Sequence, residues 1–99
     1  MTWQLRTAQE SNTTTREEEW GTLTWMADES RTGSPLTVGR VVIRPGHSNP
    51  RHCHDTCEEI LYLLQGTLVH TCDDDSVEMC GGDTLVVSPG VMHNATNTG

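Results

Sequence analysis

Short runs in which apolar and polar residues alternate, broken every few positions by glycine, proline or acidic residues, organise this chain. An extended backbone turns successive side chains to opposite faces, so each run reads as a strand with one face toward a core. In order the runs are Trp20 to Met26, Leu36 to Ile43, Arg51 to His54, Glu59 to Leu64, Thr67 to Thr71, Ser76 to Met79, Thr84 to Val87 and Met92 to Thr98. Within the fourth, alternation sets Glu59, Leu61 and Leu63 on one face and Ile60, Tyr62 and Leu64 on the other. Residues 28–35, DESRTGSP, form a loop, Gln65-Gly66 predicts a tight hairpin, and Asp73 to Ser76 predicts an acidic one. No helical periodicity persists, and eight short strands with local connections predict an all-β, double-sheet jelly-roll barrel with room inside for one small ligand. The barrel is expected over 20–99, preceded by a flexible polar arm over 1–19 in which Trp3 and Leu5 are the docking candidates.

On that framework four side chains stand out. His52 and His54 flank one residue, so on a strand both imidazoles project to one side as a two-nitrogen pincer. Glu59 opens the next strand after the turn Asp55-Thr56-Cys57 and brings a carboxylate oxygen. His93 follows the turn Ser88-Pro89-Gly90 about forty residues after the pincer. Three imidazoles and a carboxylate suit one divalent iron, manganese, nickel, copper or zinc ion, and do not suit calcium or magnesium. Any one of these residues alone would be an ordinary surface or hydrogen-bonded side chain. Glu58 competes with Glu59 for the carboxylate role, and strand alternation favours Glu59.

The two segments also carry a resemblance. The first reads Gly46, five residues, His52, one, His54, four, Glu59, six, Gly66; the second reads Gly82, seven, Gly90, two, His93, three, Asn97, with fifteen residues between the motifs. This pattern resembles the cupins, in particular compact single-domain bacterial ones. The resemblance implies a double-stranded β-helix barrel and assigns the metal to His52, His54, Glu59 and His93. One departure is that proline stands next to the second motif's inner glycine, as Pro89-Gly90, with Ser88 in its usual place. Members of the family generally continue through further strands after the second motif, whereas six residues follow His93 here. The expectation is therefore either a barrel truncated after the second motif or one whose gap is closed by N-terminal strands of the same or another subunit, and an uncovered edge there promotes dimerisation, with a homodimer expected, or aggregation.

Composition narrows the function. The net charge is −8, lysine is absent and six arginines are scattered, so nucleic acid and anionic membranes are not expected partners. The first twenty residues lack a signal peptide's apolar stretch and no later run is long enough to span a bilayer, which predicts a cytoplasmic protein. Cys53, Cys57, Cys72 and Cys80 raise a rival structural zinc site, but their spacing is unlike the tight pairs of zinc fingers. They are expected as free thiols, a Cys72–Cys80 bridge requiring that their α-carbons come within about 7 Å.

A metal held by nitrogen and oxygen with a position left open is a catalytic arrangement. The leading expectation is a metal-dependent enzyme acting on a small molecule, of dioxygenase, isomerase, cyclase or lyase type. Glu59 doubles as a proton carrier in that scheme. Leu61, Leu63 and Met92 are candidate pocket walls, Arg40 and Arg44 candidate carboxylate binders, and Tyr62 a packing residue. The alternatives are a non-catalytic module binding a small ligand or metal, and a barrel whose metal is purely structural.

Overall fold

The computed structural model describes residues 2–99; the first position of the arm expected over 1–19 lies outside them. The chain forms two compact units, the first ending at Val42 and the second running from Ile43 to Gly99.

The first unit is held together largely by hydroxyl groups. Helix α1 (Ala8–Asn12) starts in a reciprocal capping box, in which Thr7 Oγ1 accepts from the Glu10 amide while the Glu10 carboxylate reaches back to the Thr7 amide. Strands β1 (Arg16–Glu18), β2 (Gly21–Ala27) and β3 (Val38–Ile43) form one sheet in that order. Thr14 Oγ1 bridges to Trp25, donating to its carbonyl at 2.8 Å and accepting from its amide at 3.2 Å. Helix α2 (Glu29–Thr32) fills the loop expected at 28–35, capped by Asp28 at its start and by Gly33 in the left-handed region (φ 73°) at its end. Regular structure inside the segment expected as an arm departs from the sequence reading. The physical reason is local: Thr7, Thr13, Thr14 and Thr15 satisfy backbone or hydroxyl groups that the polarity of the segment alone would leave to water.

The second unit contains two sheets. Strand β4 (Glu59–Tyr62) pairs antiparallel with β7 (Thr84–Val87), Glu59 opposite Val87 and Tyr62 opposite Thr84. Strand β5 (Thr67–Cys72) is central to the other, flanked by β6 (Asp75–Cys80) and β8 (His93–Asn97). The acidic hairpin is present, with Asp73 at φ 50° between β5 and β6. Gln65-Gly66 is not a hairpin. There the chain leaves the β4–β7 sheet for the other one, and Leu63 instead exchanges bonds with the 82–83 turn (Gly82 N–H to Leu63 O, 2.7 Å; Leu63 N–H to Asp83 O, 3.0 Å).

A second correction concerns Arg51 to His54, expected as a strand. Only His52 keeps a bridge, to His93. The stretch from Gly46 to His54 nevertheless runs alongside β8, tied by Gly46 N–H to Asn97 O, Asn49 N–H to Ala95 O and the mutual His52/His93 pair. Pro50 cannot donate, and at this point the Asn49 side chain replaces the backbone, its Oδ1 accepting from the Ala95 amide at 2.7 Å.

The interior of this unit is unusual in its polarity. Its buried apolar side chains are Met79, Val87 and Ala95, while the largest fully buried ones are His70 and His93, at 2% and 1% exposure. Along β4 the expected alternation holds, with Glu59 and Leu61 half-buried and Ile60 and Tyr62 exposed. Tyr62 therefore lies on an outward face and not in packing.

Candidate metal centre

The ladder delivers the four side chains to one place. His52 and His93 exchange both backbone hydrogen bonds (3.0 and 2.8 Å), so directly opposed side chains rise on the same face, and their ring centroids are 4.3 Å apart. His54 follows two residues on, its carbonyl accepting the Gly90 amide at 2.8 Å, which ties the pincer to the turn preceding His93. Glu59 arrives from the other sheet, at the start of β4. Its Oε2 lies 2.9 Å from His93 Nε2, 3.2 Å from His54 Nε2 and 3.8 Å from His52 Nε2. One ligand atom from each of the four residues falls within 4.8 Å of every other.

Two atoms of the cluster are left without partners. Glu59 Oε2 and His93 Nε2 are both buried and neither has a hydrogen-bond partner, although they face each other at 2.9 Å. The distance alone would suit an ion pair, but the angles make no hydrogen bond, and the angles decide, since a bond needs its proton near the line between the atoms. A buried carboxylate oxygen left bare is costly, and a cation between the two atoms removes that cost. The donor set of three nitrogens and one oxygen fits a first-row divalent ion.

The second hydrogen bonds of the rings agree. His52 Nδ1 lies 2.9 Å from the Pro50 carbonyl, which can only accept, so Nδ1 carries the proton and Nε2 presents its lone pair to the cluster. His93 Nδ1 is engaged at 2.9 Å by His70 Nε2. Burial pushes His70 down to about 4, with the neighbouring His93 adding to the effect, and burial likewise lowers His93 against the pull of Glu59. In both rings burial disfavours the charged form, and the neutral form is the one in which an imidazole can ligate.

Exposure is graded across the cluster. The His93 side chain is 1% exposed, Glu59 29%, His52 37% and His54 45%, so the site is closed at β8 and open beside His54. Glu58, the rival carboxylate, is exposed and stands outside the cluster. Met92, a candidate pocket wall, is 39% exposed. No cysteine joins the cluster among the described residues; Cys53 Sγ turns instead toward Asp55 Oδ1 at 3.7 Å. All four cysteines are free. Cys72 pairs with Asp75 and Cys80 with Thr67, so the hairpin holds these two thiols at opposite ends and no bridge can form between them.

His70 was not singled out by its sequence neighbourhood. The available signal was its position in Leu68, His70, Cys72, where alternation puts a polar ring on the inward face of an otherwise apolar central strand.

Residues 39–99 match the cupin domain family. The chain therefore belongs to the cupins, and its β-sheets are those of a cupin jelly roll. Among curated proteins it is similar to tetracenomycin polyketide synthase protein TcmJ of Streptomyces glaucescens, 31% identical over 62 residues that make up 63% of this chain and 42% of that protein. Two solved structures share the fold. KdgF from Halomonas sp. superposes with a TM-score of 0.73 at 21% identity, covering 85% of this chain and 75% of that one. The oxalate decarboxylase of Lactobacillus farciminis, solved as a formate complex, gives 0.77 at 23% identity, with 86% of this chain and 27% of that chain covered. The chain spans about half the length of the first curated relatives it matches, 54% and 42%.

Proposed function

We propose that this cupin binds one divalent transition-metal ion through His52, His54, Glu59 and His93, and that it is an enzyme acting on a small organic molecule. The observation that carries this reading is the bare, buried pair Glu59 Oε2 and His93 Nε2, facing each other at 2.9 Å with no hydrogen bond between them. The names of two similar proteins, an oxalate decarboxylase and a polyketide synthase protein, add support for small-molecule chemistry.

Such an ion supplies Lewis-acid polarisation, or electron transfer if it is iron, manganese or copper. The chain's own groups do the rest. His93, fully buried, forms the floor that keeps water from that side. Substrate enters beside His54, the most exposed of the four. Glu59 aims Oε2 at all three imidazoles, which leaves Oε1 as the atom that takes a proton from substrate and returns it. A polarised substrate beside a mobile proton suits isomerisation and lyase chemistry in particular.

Four free thiols support a reducing, cytoplasmic setting, and the apolar outer face of the β4–β7 sheet (Ile60, Tyr62, Val86) supports a homodimer. No helix among the described residues is long and apolar enough to cross a membrane.

Metal analysis of the purified protein, followed by turnover and oxygen-uptake assays on small carboxylic and enolisable compounds, tests the reading. One ion per chain, with turnover lost in folded His52→Ala and His93→Ala variants, is the expected result. Binding of a small molecule without turnover would make the protein a binding module, and unfolding by chelator without any turnover would make the metal structural.

A further inference from the structure

Beyond the four clustered side chains one more imidazole is fully interior: His70, 2% exposed, on the central strand β5. The β5–β8 register sets Cys72 opposite His93 and His70 opposite Ala95, so His70 is the diagonal neighbour of His93 on the same face. Its Nε2 lies 2.9 Å from His93 Nδ1. The ring centroids are 5.1 Å apart with the planes inclined by 23°. With nitrogens this close, so long a centroid separation requires rings that meet edge to edge, and the contact is an in-plane hydrogen bond and not a stack.

One proton lies in that bond, and its location decides what His93 can do. If His70 Nε2 donated it, the neutral His93 would carry its own proton on Nε2, pointing into the cluster and available to Glu59 Oε2. Those two atoms, 2.9 Å apart, make no hydrogen bond. If His93 Nδ1 donates instead, Nε2 is bare. His52 displays the same arrangement unambiguously, because its Nδ1 faces a carbonyl that can only accept.

We propose that His70 is the positioning residue for His93: it accepts the Nδ1–H of His93 at its own Nε2 and thereby fixes both the tautomer and the plane of the ring that presents Nε2 to the cation. This rests on the metal-site reading above. A neutral imidazole in this place orients the ligand without the second negative charge that a carboxylate partner would bury beside Glu59. His70 touches neither substrate nor ion, and acts through His93 alone.

The test combines direct observation of the proton with metal affinity. Long-range ¹H–¹⁵N NMR of the zinc-loaded wild-type protein is expected to place the His93 proton on Nδ1. Titration with Co²⁺, followed by its visible absorption bands, is expected to show affinity falling about 10- to 100-fold in His70→Leu, with altered bands, and recovering to within about threefold of wild type in His70→Gln, whose amide oxygen can accept the same proton. Far-UV circular dichroism checks that each variant is folded. Leucine variant affinity and bands equal to wild type, or a His93 Nδ1 without its proton in the zinc form, would overturn the assignment while leaving the metal site standing. Wild-type protein that takes up neither ion would bring down the metal reading itself, and this inference with it. Should His70→Leu fail to fold, the wild-type proton position alone decides.

Discussion

His93 and His52 face each other across a single bridge and offer the same nitrogen to the cluster, yet they are held in different ways. His93 begins a regular strand against β5, is 1% exposed, and is gripped by a buried imidazole. His52 and His54 hang from a stretch whose ladder is interrupted at Pro50, with side chains 37% and 45% exposed. The site thus has a floor fixed by packing and a rim fixed by a few backbone bonds. On the metal reading proposed above, a packed floor would fix the ion's position more firmly than an exposed rim. Ligation and stability should therefore separate on one wall and coincide on the other.

The largest test is His93→Ala. It removes a ligand, opens a cavity and strands His70 Nε2 in the interior, so ion affinity should fall by more than about 100-fold and the ion-free protein should lose about 2–4 kcal/mol. Co²⁺ titration and urea denaturation measure the two. Stability unchanged in the ion-free state would erase the floor as a structural feature.

A second break point is pH. A free histidine titrates near 6.5, whereas burial holds His70 down to about 4. Between these values the unfolded chain binds more protons than the folded one, so stability is full above about pH 6.5 and declines as pH falls toward 4, by at most about 3 kcal/mol. His93, lowered in the same direction by its burial, adds to the slope. Urea midpoints of the metal-free protein across this range should show the decline, and His70→Gln should flatten it. A flat wild-type profile would mean that the floor is open to water.

How much of this contrast was legible in the sequence depends on the range of the forces involved. His52, His54, Glu59 and His93 could be chosen because residue type and spacing are local properties, and the structure brings all four together. The same alternation separated Glu59 and Leu61 from Ile60 and Tyr62, although Tyr62, expected from the sequence as a packing residue, is exposed in the structure. What spacing could not fix was pairing. Gln65-Gly66 has the composition of a hairpin turn, with Gly66 at φ 94°, but β4 pairs with β7, some twenty residues later, and not with the strand that follows the turn. Likewise Arg51 to His54 has strand composition, but Pro50 removes a donor and Asn49 fills in with its side chain, a substitution visible only when Ala95 is opposite. His70 belongs to this second kind: its importance lies in a diagonal contact across 23 positions of sequence, which no local pattern encodes.

On the rim the effects should be smaller and purely ligational. His54→Ala removes a half-exposed ring whose neighbours are His52 and Glu59 of the same cluster, so folding stability should stay within about 0.5 kcal/mol of wild type while Co²⁺ affinity falls. His52→Ala should resemble it in affinity. Loss of more than about 1 kcal/mol in either ion-free variant would show that the rim shares the structural work of the floor.

The smallest effect sharpens the identity of the carboxylate. Glu58 and Glu59 are adjacent, but a strand turns neighbours to opposite sides, and only Glu59 has its oxygen aimed at the imidazoles; Glu58 faces solvent. Glu58→Ala should leave affinity within about twofold and stability within about 0.5 kcal/mol of wild type, whereas Glu59→Gln, which keeps shape but removes the charge, should weaken binding at least tenfold. If the two variants behaved alike, the carboxylate would be acting through its general field and not as a bonded ligand. A field of that kind is screened over about 8 Å at physiological ionic strength, so raising salt would then weaken the wild-type site as well. A bonded Glu59, 2.9 Å from His93 Nε2 and with its oxygen buried, should make the affinity much less sensitive to salt than a screened field would, and that difference completes the distinction between the two residues.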